Sequence, residues 1–573
     1  MDADARTSIR ICMAIWAAAM GLVLAVSVWA ADGRLIYALD DPYIHLAVAE
    51  NILRGGYGVN ATEFSSPSSS ILYPFLLALT EGMGLGEFGP LVLTLLAAGL
   101  ASWLTLTFLF RSVFTGADSR AFSMPAAVLV LLTQSAVALP LTGMEHSLHV
   151  LAAVAAFTGL VRLAETGTPS LLLMAAIVAM PLIRFEGLAY SAGLILVLAS
   201  TGHARAAAGV LAALGLSLAA YAGLMVALGL PVLPSSVSLK SAVASSIGDE
   251  GLGAIVGALA ANFRDTIGQT TGLLLLAGLC TLVVLLVRGE PSSRQLATLP
   301  GSAPHSKPER APAVARVAIM GWLDQSTLNF RASPSFIVAA PCSLAISGHV
   351  LAGDYGWFHR YEVYIVAITT LTLLYLFRDF PGKAAHPASA TAKVVALALL
   401  AMAATPYAYA AWRTPAASRG IHDQQFQMHR FVTEFWREPV AVNDLGLASY
   451  RNDRYVLDLW GLGSEEVRIS RMAGNFGPGL IGDLVRRHDV SAALVYRAWF
   501  GADIPADWKE LAVMGSDVVA APIGEVHIYA TDASRVQDLC EALGRFADTL
   551  PRRVTLDLSG CSLAIPAVTA SVR

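Results

Sequence analysis

The sequence predicts a mainly α-helical, polytopic membrane protein with a soluble α/β domain at its C-terminal end. Two observations predict it. The 573 residues are 55% hydrophobic and only 14% charged, whereas about a quarter of a soluble domain is charged. The charge is also segregated: residues 11–411 hold long runs without a charged side chain, while 412–573 reads as an ordinary soluble sequence. A mean hydropathy of +0.61 agrees. The small net charge of −4 gives no basic footprint for nucleic acid.

A helix needs ~20 apolar residues to cross the hydrocarbon, with ~17 as a floor. Ile11–Ala31 meets this as the first span, and only Arg6 and Arg10 precede it as positive charges, the pattern of a cytoplasmic N-terminus. A cleaved signal peptide ending near Val28-Trp29-Ala30 competes, but the run is long and many spans follow. Further spans are expected at 88–110, 121–140, 147–163, 170–186, 187–203, 206–228, 269–288, 334–352, 362–377 and 394–411. Segment Ile71–Leu85 is short and broken by Gly82 and Gly84.

If 71–85 crosses, the basic loops face outward. If it does not, the loops with Arg111/Arg120, Arg162, Arg205 and Arg378/Lys383/Lys393 face the cytoplasm, as does the Pro-, Ser- and Gly-rich linker 288–316. The positive-inside rule selects the second topology, with eleven spans, an outer loop of about 32–87 and an outward C-terminus. The protein is then expected as a multi-pass membrane protein with its N-terminus in the cytoplasm and its C-terminal domain outside.

That topology puts the unusual polar residues on one face. They are Asp40-Asp41, Ser65–Ser70, Thr142-Gly-Met-Glu-His146, Arg184-Phe-Glu-Gly187, 230–264 and 353–362. Polar groups at membrane depth are costly and tend to mark function. Adjacent carboxylates such as Asp40 and Asp41 repel, so a cation, metal or proton tends to hold one of them. One can serve as general base to an acceptor hydroxyl; an acidic N-cap with Pro42 at the first helical turn is the equal alternative. Tyr43–Arg54 suits an amphipathic helix along the interface, ended by Gly55-Gly56-Tyr57-Gly58. Glu145 and His146 either cap a span or meet substrate. Arg184 and Glu186 either pair with each other or contact an anion or sugar. Lys240 and His359-Arg360 are cations beside aromatics, fit for a phosphate or a lipid headgroup. Suitable contexts for nucleotide-binding motifs are lacking.

The stretch Asp40-Asp-Pro-Tyr-Ile-His-Leu-Ala-Val-Ala-Glu-Asn-Ile-Leu-Arg-Gly-Gly-Tyr-Gly-Val-Asn60, followed by Ser65-Ser-Pro-Ser-Ser-Ser70, resembles the opening of GT-C membrane glycosyltransferases, in their bacterial cell-wall arabinofuranosyltransferase-like branch. Thr142-Gly-Met-Glu145 resembles that branch's Thr-Gly-x-Glu. Arg184-Phe-Glu-Gly187 resembles its Arg-Pro-Glu-Gly, with Phe185 in place of Pro. Leu233-Pro-Ser-Ser-Val-Ser-Leu-Lys240 resembles its Leu-Pro-Asn-Ser…Lys, with Ser235 in place of Asn. Val442-Asn-Asp-Leu-Gly446 and Val456-Leu-Asp-Leu-Trp-Gly-Leu462 resemble the start of its soluble domain, so the resemblance covers roughly residues 1–470.

The resemblance implies a GT-C-like fold and a hexosyl- or pentosyltransferase with Asp40 or Asp41 as catalytic base. The donor is a polyprenyl-phosphate sugar and the acceptor a glycan or glycolipid, at the level of the membrane lipids. Arg360, Lys240, Arg184 and His359 are the candidates for the donor phosphate. Tyr43, His45, Ser66, Glu145, His146 and Glu186 are the candidates for substrate. Some such enzymes use a divalent cation (Mg2+, Mn2+ or Ca2+), for which Asp40 and Asp41 are the ligands on offer. A transporter or flippase of lipid-linked sugars and a non-catalytic scaffold are the competing readings; the first predicts mid-membrane ionisable groups and two similar halves.

Residues 412–573 read as α/β. Helices are expected at His422–Arg437, Ile481–Arg487 and 534–548, and strands at Val440–Asn443, Tyr455–Leu459, Ala492–Tyr496 and Val526–Ala530. About 160 residues can bury a core of their own. The domain is expected to handle the acceptor, or to act as a lid over the site. Cys540 and Cys561 can pair if it faces an oxidising compartment; the five cysteines contain no Cys-x-x-Cys.

Overall fold

The computed structural model describes residues 3–114, 120–240, 251–288, 333–378 and 387–564. Nearly all of the linker 288–316 lies outside them, as does the side chain of Lys240. The chain begins with α1 (Ala3–Ala30), α2 (Asp41–Leu53), α3 (Tyr73–Gly82), α4 (Phe88–Phe108), α5 (Arg120–Thr133) and α6 (His146–Thr166). It continues with α7 (Leu171–Ile183), α8 (Gly187–Ser200), α9 (Ala204–Ala227), α10 (Ser235–Lys240), α11 (Gly251–Gly268) and α12 (Thr270–Arg288). The bundle closes with α13 (Pro334–Ala352), α14 (Val363–Leu376) and the long α15 (Pro387–Asp423).

Each of the eleven expected spans overlaps a helix, although α5 ends at Thr133, short of the expected 121–140. Among the described residues, seven helices are long and apolar enough to cross a membrane, and four more apolar ones, α5, α7, α8 and α14, are shorter. Segment 71–85 forms α3, whose ten residues cannot span. Packing in the bundle rests on aromatic contacts such as Phe108 edge-on to Phe157, with ring centroids 4.9 Å apart. Small residues let α8 and α13 come close. A Cβ added at Gly193 would stand 2.8 Å from the Pro341 backbone.

Helix α2 departs from the expected interfacial position. Nine of its thirteen residues are buried, His45 and Asn51 among them. Its Ile44, Ala47 and Val48 join the same apolar cluster as Val440, Val442 and Val456 of the C-terminal domain. The helix is therefore enclosed between bundle and domain, because its apolar positions surround the axis and leave no polar face.

The C-terminal domain holds a six-stranded mixed sheet of β1 (Val440–Val442), β2 (Val456–Asp458), β3 (Ala492–Val495), β4 (Lys509–Gly515), β5 (Glu525–Ala530) and β6 (Thr555–Asp557), in the order β2-β1-β3-β5-β4-β6. Strand β1 runs parallel to both β2 and β3, and the remaining pairs are antiparallel. Strand β1 lies between β2 and β3, so the strand order switches direction at its carboxyl end. Helix α15 runs unbroken through residue 412 into the domain. Cys540 and Cys561 form a disulfide, their Cα atoms 5.7 Å apart, which ties the helix at Val536–Ala547 to the chain end.

Candidate functional site

The polar segments expected on one face do converge. They surround a cavity of ≈ 340 Å³ at one end of the bundle, with Asp41, His45, Ser69, Arg184, Glu186 and Arg360 on its wall. Apolar side chains complete it: Ile44, Met144, Leu188 and Val237, with Leu462 of the C-terminal domain as part of the roof. The wall thus combines charged and apolar side chains.

The two adjacent aspartates do different things. Asp40 is buried, and its carboxylate does not cap its own helix. It crosses instead to the C-terminal domain, where Oδ2 accepts from Gly446 N at 2.7 Å and Oδ1 from Leu447 N at 2.9 Å. The approach demands glycine. A Cβ at 446 would lie 2.2 Å from the Asp40 carbonyl oxygen. Burial, reinforced by the nearby Asp444 charge, pushes Asp40 well above the usual carboxylate range, outweighing the two backbone bonds. Asp41 is turned the other way. It lines the cavity, is 30% exposed, and accepts from Arg360 Nη2 at 2.5 Å.

Arg360 is almost wholly buried, and its Nη2 also donates to the Tyr361 hydroxyl. Its Nε and Nη1 have no hydrogen-bond partner. Unpaired buried donors on a cation cost free energy unless something fills them. The turn before Arg360 is strained: Trp357, Phe358 and His359 all adopt left-handed backbone, with φ of 45°, 67° and 55°. Non-glycine residues rarely do so, and three in succession persist only where surrounding contacts fix them. Glu362 supplies two such contacts, accepting from Gly356 N and bonding to His359 Nδ1. The expected His359 is therefore committed to the turn.

Arg184 is consumed by its neighbours. It donates twice to Glu186, at 3.1 and 2.5 Å, and to Glu145 at 2.6 Å, with Ser69 at 3.4 Å. The mutual pair expected for Arg184-Phe-Glu-Gly187 is present, and both side chains lie on the cavity wall. Burial alone would raise Glu186, but the Arg184 charge overrides it and holds the carboxyl at about 2. Glu145 behaves likewise: burial raises it, yet the Arg184 charge outweighs this and keeps it below the usual range. His45 closes the group, hydrogen-bonded through Nδ1 to Ser68 at 3.0 Å and 3.7 Å from Glu145 through Nε2. Gly143 makes this possible with a left-handed φ of 68°. A Cβ there would meet Tyr37 at 2.7 Å and Pro42 at 2.9 Å.

Four expected substrate contacts stand off the wall, one of them Glu145, which accepts from Arg184. Tyr43 is packed between Tyr37 and Tyr450 in an apolar cluster. His146 is buried edge-on to Tyr361. Ser66 is buried against the Tyr221 hydroxyl at 3.3 Å. Conversely, the wall includes His349, Asp354, Tyr361 and Leu462, which sequence reasoning did not single out. His349 is hidden inside an apolar span, and Leu462 belongs to a distant part of the chain; Asp354 and Tyr361, both within the polar segment 353–362, carried a signal.

The expected cation pair does not fit this arrangement. Asp40 gives both oxygens to backbone N–H groups and Asp41 faces Arg360, so the two carboxylates do not converge. Among the described residues, no three His, Cys, Asp or Glu side chains are grouped to hold a metal.

A family model described as "Domain of unknown function (DUF8728)" matches residues 417–535, within the C-terminal part. No curated protein matches the chain. Among solved structures, the chain is similar to an oligosaccharyltransferase of Archaeoglobus fulgidus in its apo form, at 15% identity and a TM-score of 0.40, covering 90% of this chain and 74% of that one. It is also similar to the arabinofuranosyltransferase AftD from Mycobacteria, at 14% identity and a TM-score of 0.40, covering 90% of this chain and 41% of that one. This chain thus spans under half the length of the mycobacterial protein. Similarity at that level says nothing about activity.

Proposed function

We propose that this protein is a GT-C-type membrane glycosyltransferase that moves a sugar from a polyprenyl-phosphate donor to a glycan or glycolipid acceptor at the outer face of a bacterial inner membrane. One observation carries the reading: a half-exposed carboxylate, Asp41, faces a cavity beside a buried arginine with two unpartnered nitrogens, among apolar helix ends. A lipid-linked phosphate needs that combination of cation and hydrocarbon wall.

The chemistry follows from the positions. Asp41 takes the proton of the acceptor hydroxyl, whose oxygen forms the new bond to the anomeric carbon. The bond from that carbon to the phosphate oxygen breaks, and polyprenyl phosphate leaves with the electron pair. Arg360 offsets the charge that grows on the departing phosphate. The C-terminal domain, through Leu462, shapes the side from which the acceptor enters. The transporter reading gains no support, since the ionisable groups stand at helix ends rather than half-way along broken helices.

The test uses purified full-length protein with a radiolabelled polyprenyl-phosphate sugar and membrane glycan. Asp41→Asn is expected to lower transfer about 100-fold or more, the usual contribution of a general base, while Asp40→Asn retains it. Transfer that survives in Asp41→Asn defeats the mechanism.

A further inference from the structure

His45 has its tautomer fixed by a serine. The Ser68 hydroxyl gives its one hydrogen to the Ser70 carbonyl at 2.7 Å, an oxygen that can only accept. The same hydroxyl oxygen accepts from Ser70 N at 3.1 Å. Its second lone pair meets His45 Nδ1 at 3.0 Å, so Nδ1 carries the hydrogen of the neutral ring and donates it. Nε2 is left with an open lone pair.

The surroundings of Nε2 also suit the charged ring. It stands 3.7 Å from Glu145 Oε2, which has no hydrogen-bond partner beyond its own residue. Oε1 of that carboxylate is fixed by Arg184 at 2.6 Å and Ser69 at 2.9 Å. Two lone pairs thus face each other with no hydrogen between them, and one proton on Nε2 satisfies both. His45 lines the cavity one helical turn along α2 from Asp41, so the two side chains share a face of the helix. Asp41 is ion-paired with Arg360 in the resting cavity, and a proton taken up by Asp41 has to move on before that pair re-forms.

Resting on the reading above, we infer that His45 is the second proton acceptor of the site: the proton that Asp41 takes from the acceptor hydroxyl passes to Nε2, and Glu145 holds the imidazolium. The acceptor O–H bond breaks, an N–H bond forms at Nε2, and Asp41 returns to its pair with Arg360. The electron pair of the broken sugar–phosphate bond leaves with the phosphate. Water takes the proton from Nε2 as the products depart, which restores the neutral ring. Burial lowers His45 from its usual value; the Glu145 and Asp41 charges oppose this, and those of Arg184 and Arg360 add to it. His146 also faces the ring, and Tyr73 stands edge-on to it with its hydroxyl hydrogen on the Gly143 carbonyl. The resting ring is therefore neutral and able to accept.

Two measurements test this on the full-length protein in detergent. In the transfer assay, His45→Gln is expected to lower kcat about 100-fold with donor KM little changed. It is also expected to remove the acid limb that wild type shows below the usual histidine value of about 6.5, a change that lost packing alone does not produce. Unchanged kcat and an unchanged acid limb overturn the inference and leave the glycosyltransferase reading standing. Absence of transfer in wild type overturns that reading and this inference with it. The second measurement needs no variant. Diethyl pyrocarbonate acylates an unprotonated ring nitrogen, so it is expected to modify His45 in wild type at neutral pH, as located by peptide mass spectrometry, with farnesyl phosphate protecting it. If His45 stays unmodified, it has no open nitrogen within reach of the cavity, and the inference falls.

Discussion

Adjacent residues of one type can hold opposite roles, and Asp40 and Asp41 separate by direction. Asp40 is a tie between bundle and domain, and its burial makes it sensitive to pH. Its folded value is raised, so the folded protein binds the proton more readily than the unfolded chain. That contribution is complete below the unfolded value of about 4 and is lost as pH rises through the folded value. The thermal midpoint in detergent is therefore expected to fall as pH rises above about 4, more steeply in wild type than in Asp40→Asn. Identical slopes in the two proteins would remove the claim. The sequence exposed Asp41, Glu145, Glu186 and Arg360 because a charge within apolar surroundings is conspicuous. It could not show that Tyr43 and His146 are packed away, since those types suit a core and a wall equally.

Among the elements, the left-handed turn at 357–359 has the most at stake, because it positions Arg360. Its geometry depends on Glu362, whose two oxygens fasten Gly356 N and His359 Nδ1. With Glu362→Ala the strained residues lose both tethers, each left-handed residue storing about 1–2 kcal/mol. The expected result is a donor KM raised about tenfold with kcat less affected, Glu362→Gln giving partial rescue because it still accepts from Gly356 N. Unchanged donor KM in Glu362→Ala would show that the turn holds without it. Elements with regular signals were legible, including a helix at each expected span and four strands of the sheet. Strand β4 was not, because its register shifts between Glu510 and Ala512 and breaks the alternation of period two. Helix α11 escaped for a different reason: it falls mostly within the 230–264 stretch read as an outer loop.

For the molecule as a whole, the question is what holds the domain over the cavity, and the answer lies in contacts no local pattern reveals. Asp40 and Gly446 bond across 406 residues of sequence. Glu63 accepts from the Tyr455 hydroxyl at 2.5 Å and from Ser464 at 3.2 Å. Asn60 makes the most informative contact. Strand β2 is at the edge of the sheet, and the Asn60 side chain covers that edge as a further strand would, donating to Val456 O and accepting from Val456 N, both at 2.9 Å. Asn60→Ala strips two buried backbone groups of their partners, which costs about 2–6 kcal/mol at 1–3 kcal/mol per group. Unfolding of the full chain in detergent should start at lower temperature, and a protease should cut near 455–464 earlier than in wild type. Asn60→Asp, which keeps the acceptor and loses the donor, should fall between the two. Because Leu462 follows β2 by four residues and roofs the cavity, the same substitution should weaken transfer at temperatures where the protein remains folded. An Asn60→Ala protein with native stability and native transfer would mean that the bundle positions its roof by other contacts.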